Sequence, residues 1–339
     1  DEQTKSIAII GPKQNAASLE GSKDFAKKFL VRHNIPTAAY ATFTRENLNE
    51  GFEFLKTLTP PYVLKADGLA AGKGVLIIDN FDDAKNQLTQ MLVGEKFGIA
   101  SSKVVIEEFL DGIELSCFVL TDGVNYKVLP TAKDYKRIGE GDTGLNTGGM
   151  GAISPVPFAN EKLLKKIEKN IIIPTIQGLK KDEIEYQGFI FIGLINVNND
   201  PKVIEYNVRM GDPETEVVLP RIQNDIVEIF QSFKNKTLDK IELNVDHRSA
   251  ATVVLVSGGY PSSYNKGIKI TGIDHVVDST VYHAGAIQKK EDVYTNGGRV
   301  LAITSFGNNF QEALTNSYKS ASRINFEGMY YRKDLGFDL

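Results

Sequence analysis

The sequence predicts a mixed α/β molecule of more than one domain, and three observations predict it. The 339 residues suffice for two or three domains of ordinary size. Short apolar runs bounded by Gly, Pro, Asn and Asp alternate with stretches whose apolar residues recur at helical spacing. Near Asp246 the character changes to short strands rich in turn residues with one last helix, which reads as a separate small mixed domain over 246–339.

In order along the chain, SIAIIGP (Ser6–Pro12) reads as a short buried strand stopped by Gly-Pro. Ser18 to His33 reads as one helix, with Phe25, Phe29 and Arg32 at turn spacing. YVLKADG and GVLIID read as paired strands flanking a glycine loop. Phe81 to Val93 is a helix with Ala84, Leu88, Met91 and Leu92 on one face. KVVIEEFL and ELSCFVLTDG read as strands joined by a hairpin turn at Asp111-Gly112. Glu161 to Lys181 is helical, and Pro174 predicts a kink or split because it lacks a donor and clashes with the preceding turn. FIFIGLINV and KVIEYNVR form a hairpin turning at Asn198 to Pro201, and Asp225 to Phe233 is a further helix. AATVVLVSGGYP, Thr280–Ile287 and GGRVLAITSFG read as strands, and a helix from about Asn309 to Arg323 follows them.

Composition narrows the function classes. A net charge of −4 and a pI near 5.7 argue against a general nucleic-acid or anionic-membrane binder. The single cysteine, Cys117, forms no internal disulfide and supplies no thiolate-rich metal site. No apolar run spans a bilayer and no signal-peptide pattern opens the chain, so the expected location is the cytoplasm.

The chemistry-bearing stretches begin with DGLAAGKG, which offers Gly68, Gly72, Gly74 and Lys73. Converging backbone N–H groups and a nearby cation suit phosphate, but neither the Walker nor the Rossmann spacing is met. The other reading is a glycine-rich hairpin with a solvated lysine. Lys65, inside an apolar strand, favours phosphate, because a buried ammonium is costly without an anion. In VIEEFLDGIELS, Glu107 and Glu108 end a strand that can offer its backbone to an adenine edge, and Glu114 can accept from ribose hydroxyls; three exposed acids around a hairpin would look the same. In KVIEYNVRMGDPE, Glu205 and Asn207 share a strand face and suit magnesium, which takes few protein ligands plus nucleotide phosphates. Arg209 on that face can orient a carboxylate. Asp212 before Pro213 reads equally well as a helix N-cap. Lys133 to Pro155 reads as a long glycine-rich loop that holds substrate. Arg299, after Gly297-Gly298, can bind phosphate or merely follow a turn.

A glycine hairpin, an acidic hinge and a carboxylate/amide pair on a later strand make an ATP site without a Walker motif. Together with LEGSKDFAKKFL, KADGLAAGKGV, IEEFLDG, DTGLNTGGMGAISP, VIEYNVRMGDPET, TNGGRV and YYRKDLGF, they identify the chain as resembling the glycinamide ribonucleotide synthetases of the ATP-grasp superfamily. The resemblance implies an α+β fold of two lobes holding ATP. It sets 1–17 as a remnant of an N-terminal α/β domain, 18–245 as the ATP-grasp domain with a small lobe near 41–110, and 246–339 as the C-terminal domain. It implies ATP-dependent ligation of glycine to 5-phosphoribosylamine through a glycyl phosphate, with Mg2+ or Mn2+, in a monomer or weak dimer.

Carried over by motif, Lys23 and Lys65 contact phosphates or purine, and Gly68, Leu69, Ala70, Ala71, Gly72, Lys73 and Gly74 cover the triphosphate. Glu107, Glu108, Phe109 and Leu110 hold adenine, Glu114 holds ribose, and Glu205 and Asn207 bind the metal. Asp142, Asn146, Arg209 and Asp212 surround glycine and the acyl phosphate, with Thr147, Gly148, Gly149, Met150, Gly211 and Arg299 on the substrates. There are departures. Phe189–Val197 carries no second metal carboxylate, Leu145 stands where the family has proline, and Tyr135 where it has histidine. The opening DEQTKSIAIIGP resembles only the last strand of the family's N-terminal domain, so the expectation is a truncated chain with an incomplete phosphoribosylamine site. Two rivals stay open: another ATP-grasp carboxylate–amine ligase, and a nucleotide-binding fragment without turnover.

Overall fold

The computed structural model describes residues 9–70 and 74–339. The strand expected at Ser6–Ile10 falls largely outside them, and Ile9 to Pro12 form no strand. The helix expected over Ser18–His33 is two, α1 (Gln14–Gly21) and α2 (Lys23–Arg32). Ser22 breaks it: its backbone is extended and its hydroxyl accepts from Phe25 N–H, the geometry of an N-cap.

A small sheet follows, of β1 (Tyr40–Phe43), β2 (Tyr62–Ala66), β3 (Val75–Ile78) and β4 (Val104–Glu107), in the order β1-β4-β2-β3. Helices α3 (Leu48–Thr57) and α4 (Phe81–Leu92) cover it, and Leu55, Leu64, Ala84, Leu88, Met91 and Ile106 form its core. The β2/β3 pair is the hairpin expected around the glycine loop, with Lys65 opposite Val75.

The second sheet has eight strands. It begins with β5 (Ile113–Thr121) and β6 (Tyr126–Asp134), continues past a small hairpin of β7 (Arg137–Gly139) and β8 (Thr143–Asn146), and takes in β9 (Gly151–Ser154). β4 and β5 are therefore not a hairpin. They belong to different sheets, and Glu108–Gly112 connects the two lobes. The expected long loop over Lys133–Pro155 is instead the β7/β8 hairpin and β9; positive φ at Gly141, Asp142 and Gly144 makes the tight reversal.

Helix α5 (Glu161–Ile167) gives way to a π-helical turn at Glu168–Ile172 and then α6 (Ile173–Lys181). The interruption falls just before Pro174, which occupies the first turn of α6 where its missing donor costs nothing. β10 (Gly188–Val197) and β11 (Asp200–Asn207) form the expected hairpin, turning on Asn198 and Asn199 with φ of 52° and 67°. Short α7 (Thr215–Val218) and α8 (Ile226–Asn235) follow. One face of the large sheet buries Leu115, Cys117, Ile192, Leu194 and Val203 against Leu19, Phe29, Ile171 and Leu179 of the helices.

β12 (Ser249–Val256) pairs with β9, so the sheet continues into the C-terminal part. There, β13 (Lys269–Ile270), β15 (Ala286–Lys289) and β16 (Asp292–Thr295) make a three-stranded sheet, while β14 (Thr280–His283) and β17 (Arg299–Gly307) complete the large one in the order β11-β10-β5-β6-β9-β12-β17-β14. The expected strand Thr280–Ile287 is thus two strands in two sheets. Helix α9 (Phe310–Ala321) packs Phe310, Ala313 and Leu314 on this end. Among the described residues no helix is long and apolar enough to cross a membrane.

Candidate active site

Charged side chains from both sheets converge at the end of β11. Gly193 of β10 faces Glu205 while Leu194 faces Val203, so Ile204 is an extra residue, a β-bulge. A strict period of two would put Val203 on the face of Glu205. The bulge lets Val203 and Tyr206 enter the core while Glu205 lines a small concavity with Glu114, Ser116, Asp134 and Lys136. Gly193 makes room for this: a Cβ there would come within 3.1 Å of Glu205 Cγ.

Lys136 Nζ lies 2.8 Å from Glu114 Oε2 and 3.9 Å from Asp134 Oδ1. Asp134, then Glu114 and Glu205, holds the lysine well above its ordinary value against the opposing effect of burial. Lys136 in turn holds the Glu114 carboxyl below the usual range. Glu114, expected to face ribose, is thus engaged by Lys136.

Across the cleft stands a buried triad. Glu107 at the end of β4 lies between Lys65, 2.9 Å from Oε1, and Lys27, 2.9 Å from Oε2. The three side chains are 5%, 8% and 3% exposed respectively. The Glu107 carboxylate is thus enclosed by two lysines; the sequence reading offers an adenine edge the backbone of this strand end, not the side chain. The Glu108 carboxylate accepts from Ala39 N–H at 3.0 Å and lies 3.5 Å from Lys202, so it ties the connector to the large lobe. Phe109 is left 40% exposed at the connector. Lys23, at the start of α2, donates to the Gly68 carbonyl at 3.4 Å. Burial lowers its pKa, and Glu205 is the foremost charge opposing that, which places Lys23 in the field of the β11 carboxylate. Asp67 accepts from Ser22 Oγ and Asp24 N–H at 2.9 and 2.7 Å and fixes the start of α2 to the small lobe. Leu69 is 71% exposed, and Gly68 and Gly74 flank the loop; Ala71, Gly72 and Lys73 lie outside the described residues.

A second cluster forms where the large sheet meets the C-terminal part. Arg299 binds Asp212 through both nitrogens at 2.8 Å each and donates to the Gly148 carbonyl at 2.9 Å. Asp212 is therefore no N-cap; α7 begins later, after Glu214. Gly149 has φ of 119°, and a Cβ there would run into Pro213, so only glycine allows this approach. At Gly211 a Cβ would meet the Glu214 carboxylate. Thr147 Oγ1 donates to Lys136 O at 2.8 Å and links this cluster to the cleft floor.

Several expected site residues are occupied elsewhere. Arg209 pairs with Glu20, Nη2 to Oε1 at 3.0 Å, rather than standing free for a carboxylate. Asp142 pairs with Arg332, whose guanidinium is fully buried and also binds Asp334 through Nε and Nη2 at 2.8 Å. Asp142 thereby clasps the β7/β8 hairpin to the C-terminal segment. Asn146 sits opposite Arg137 in that hairpin. Met150 is fully buried among Val254, Val256 and Ala302, so its side chain is core. Asn207 follows Glu205 on β11 and faces Phe191. Sequence reasoning missed Lys27 and Lys136 as members of the cleft. Lys27 lies one turn after Lys23 on α2, a spacing that could have marked it; Lys136 carried no signal beyond its place among polar residues.

Residues 21–215 match the family model of the phosphoribosylglycinamide synthetase ATP-grasp (A) domain, and 250–338 match that of its C domain. The chain is 46% identical over 334 residues to phosphoribosylamine–glycine ligase of Vibrio vulnificus, covering 98% of this chain and 77% of that protein. It is 44% identical over 336 residues to the ligase of Pseudomonas aeruginosa, covering 98% and 78%. The crystal structure of phosphoribosylamine–glycine ligase from Thermotoga maritima superposes with a TM-score of 0.87 at 38% identity, over 96% of this chain and 81% of that one. A biotin carboxylase from Campylobacter jejuni shares the fold at 16% identity and a TM-score of 0.72.

Proposed function

The chain belongs to the phosphoribosylglycinamide synthetase family, and on that premise we propose how its residues serve the family's reaction. It is an ATP-dependent ligase that joins glycine to 5-phosphoribosylamine in purine biosynthesis, giving glycinamide ribonucleotide, ADP and phosphate. A carboxylate is a poor acyl donor, so a glycine oxygen takes the γ-phosphoryl group and ADP leaves. The amine nitrogen then bonds to the glycyl carbon, loses a proton, and phosphate departs. No enzyme nucleophile is needed; positioning and charge neutralisation carry the rate.

The observation that carries this reading is the meeting of Lys65 of the small sheet and Lys23 at the start of α2 with Glu205 of the large sheet and Lys136 just past its β6. Lys23 and Lys65 neutralise the triphosphate, and Lys136 the oxygens of the acyl phosphate. The Glu108–Leu110 backbone takes the adenine edge. Glu205 and Asn207 are hard oxygen donors, and among the described residues no group of three His, Cys, Asp or Glu forms a metal cage. That donor set fits a Mg2+ or Mn2+ ion completed by phosphate oxygens and water, which would screen charge on the transferred phosphoryl group. The Arg299–Asp212 pair with Gly148 and Gly149 forms the substrate end. The test is ADP formation with glycine present and absent, phosphoribosylamine being generated in situ. Glycine-dependent ADP is expected, and Glu205→Gln should abolish most of it. ADP formation indifferent to glycine would refute the reading.

A further inference from the structure

We propose that Lys27 is a positioning residue for nucleotide: it holds Glu107 from one side, so that Lys65 on the other side stays available to an anion in the cleft. This rests on the reading of that cleft as the ATP site. Each lysine takes a different oxygen of Glu107, at 2.9 Å. A buried carboxylate with both oxygens open to a single ammonium would draw that ammonium wholly onto itself. With Oε2 occupied by Lys27, Lys65 engages Oε1 alone and keeps donors for a ligand. Two lysines against one carboxylate also leave a net positive charge in a buried place, which is costly until an anion arrives.

Lys27 does not reach the ligand itself. It is 2% exposed, and its Nζ stands 5.6 Å from the centre of the Tyr40 ring. It donates to Thr37 Oγ1 at 2.8 Å, and Thr37 donates to the Val203 carbonyl at 2.7 Å. Val203 lies two residues before Glu205 on β11. One lysine thus spans α2, the end of β4 and the strand that carries the metal carboxylate. The charged and titratable groups around it are Glu107 and Glu108 at the end of β4, Lys65 of β2 and Tyr40 of β1. Burial lowers its pKa to about 8, with Glu107 opposing and Lys65 adding to the fall.

The experiment is equilibrium binding of a non-hydrolysable ATP analogue with Mg2+ to the full chain, with thermal melts of every variant. Lys27→Met should weaken binding by about tenfold or more, the scale of losing one charge-assisted contact. Lys27→Met/Glu107→Gln should regain most of that loss, because no carboxylate remains to capture Lys65. A merely structural role predicts a double variant no better than the single. Wild-type affinity should also fall more steeply between pH 7 and 9 than that of Lys27→Met/Glu107→Gln, which keeps Lys23 but has no lysine at 27 to discharge. Wild-type binding by Lys27→Met, or a double variant that binds no better than it, overturns the proposal. If Lys27→Met does not fold, Glu107→Gln decides: with no carboxylate to capture Lys65 it should bind the analogue at least as well as wild type, and a loss of about tenfold overturns the proposal. A wild-type chain that binds no nucleotide at all refutes the ATP-site reading and the proposal together.

Discussion

Cys117 has no exposed surface on β5, and burial pushes its thiol up to about 12. Native protein at pH 8 should therefore leave a thiol reagent unreacted and release the full signal only on unfolding; reaction in the native state at the rate of a free thiol would contradict the placement. Arg332 shows what a sequence hides at this scale. Its partner Asp142 is 190 residues away, and nothing local to YYRKDLGF names it. Arg332→Ala leaves Asp142 and Asp334 without their cation and should cost about 3 kcal/mol in a denaturant titration, less than a fully enclosed pair because Asp142 is 43% exposed. Lysine at 332 should restore little of this, since it cannot make the forked contact. A loss below about 0.5 kcal/mol would contradict the clasp.

At the scale of elements, the β11 bulge decides what Glu205 can do. Glu205→Gln keeps the shape and removes the charge, so turnover should fall by about two orders of magnitude while nucleotide affinity changes less; unchanged turnover with unchanged metal dependence would remove Glu205 from the site. Glu214, just before α7, is buried beside Asp134, and these push its carboxyl up to about 8, while Ser116 Oγ donates to it at 3.1 Å. Its native pKa lies above the unfolded value of about 4.3, so the native state keeps the proton through that window. Stability should then fall as pH rises from about 4 to 8, and Glu214→Gln should flatten that slope; an identical slope in the variant would refute the assignment. The hairpins at β2/β3 and β10/β11 and the interruption before Pro174 were legible in the sequence, because turn residues and proline act locally. The break at Ser22 and the parting of β4 from β5 were not. Ser22 stops the helix through its own hydroxyl and its contact with Asp67, and Asp111-Gly112 signals a turn without saying which sheet the next strand joins. The triad had the same limit. Lys65 could be read as needing an anion, but its internal partner Glu107 stands on another strand, and no local spacing pairs the two.

For the whole molecule, the eight-stranded sheet runs from β11 to β14 across the boundary proposed near residue 245. The Arg299–Asp212 pair bridges the two parts. A chain of charges from Lys27 to Lys136 links the small lobe to this sheet. On the proposed roles, ATP and substrate ends are held on one frame, which suits a displacement at phosphorus followed by one at the glycyl carbon. The most direct measurement is isotopic. Glycine labelled with 18O in both carboxylate oxygens, ATP and phosphoribosylamine generated in situ are turned over, and the inorganic phosphate is analysed by mass spectrometry. A glycyl phosphate predicts one 18O in each phosphate released, because the oxygen that attacked phosphorus leaves with it. Unlabelled phosphate formed together with glycinamide ribonucleotide would contradict the account.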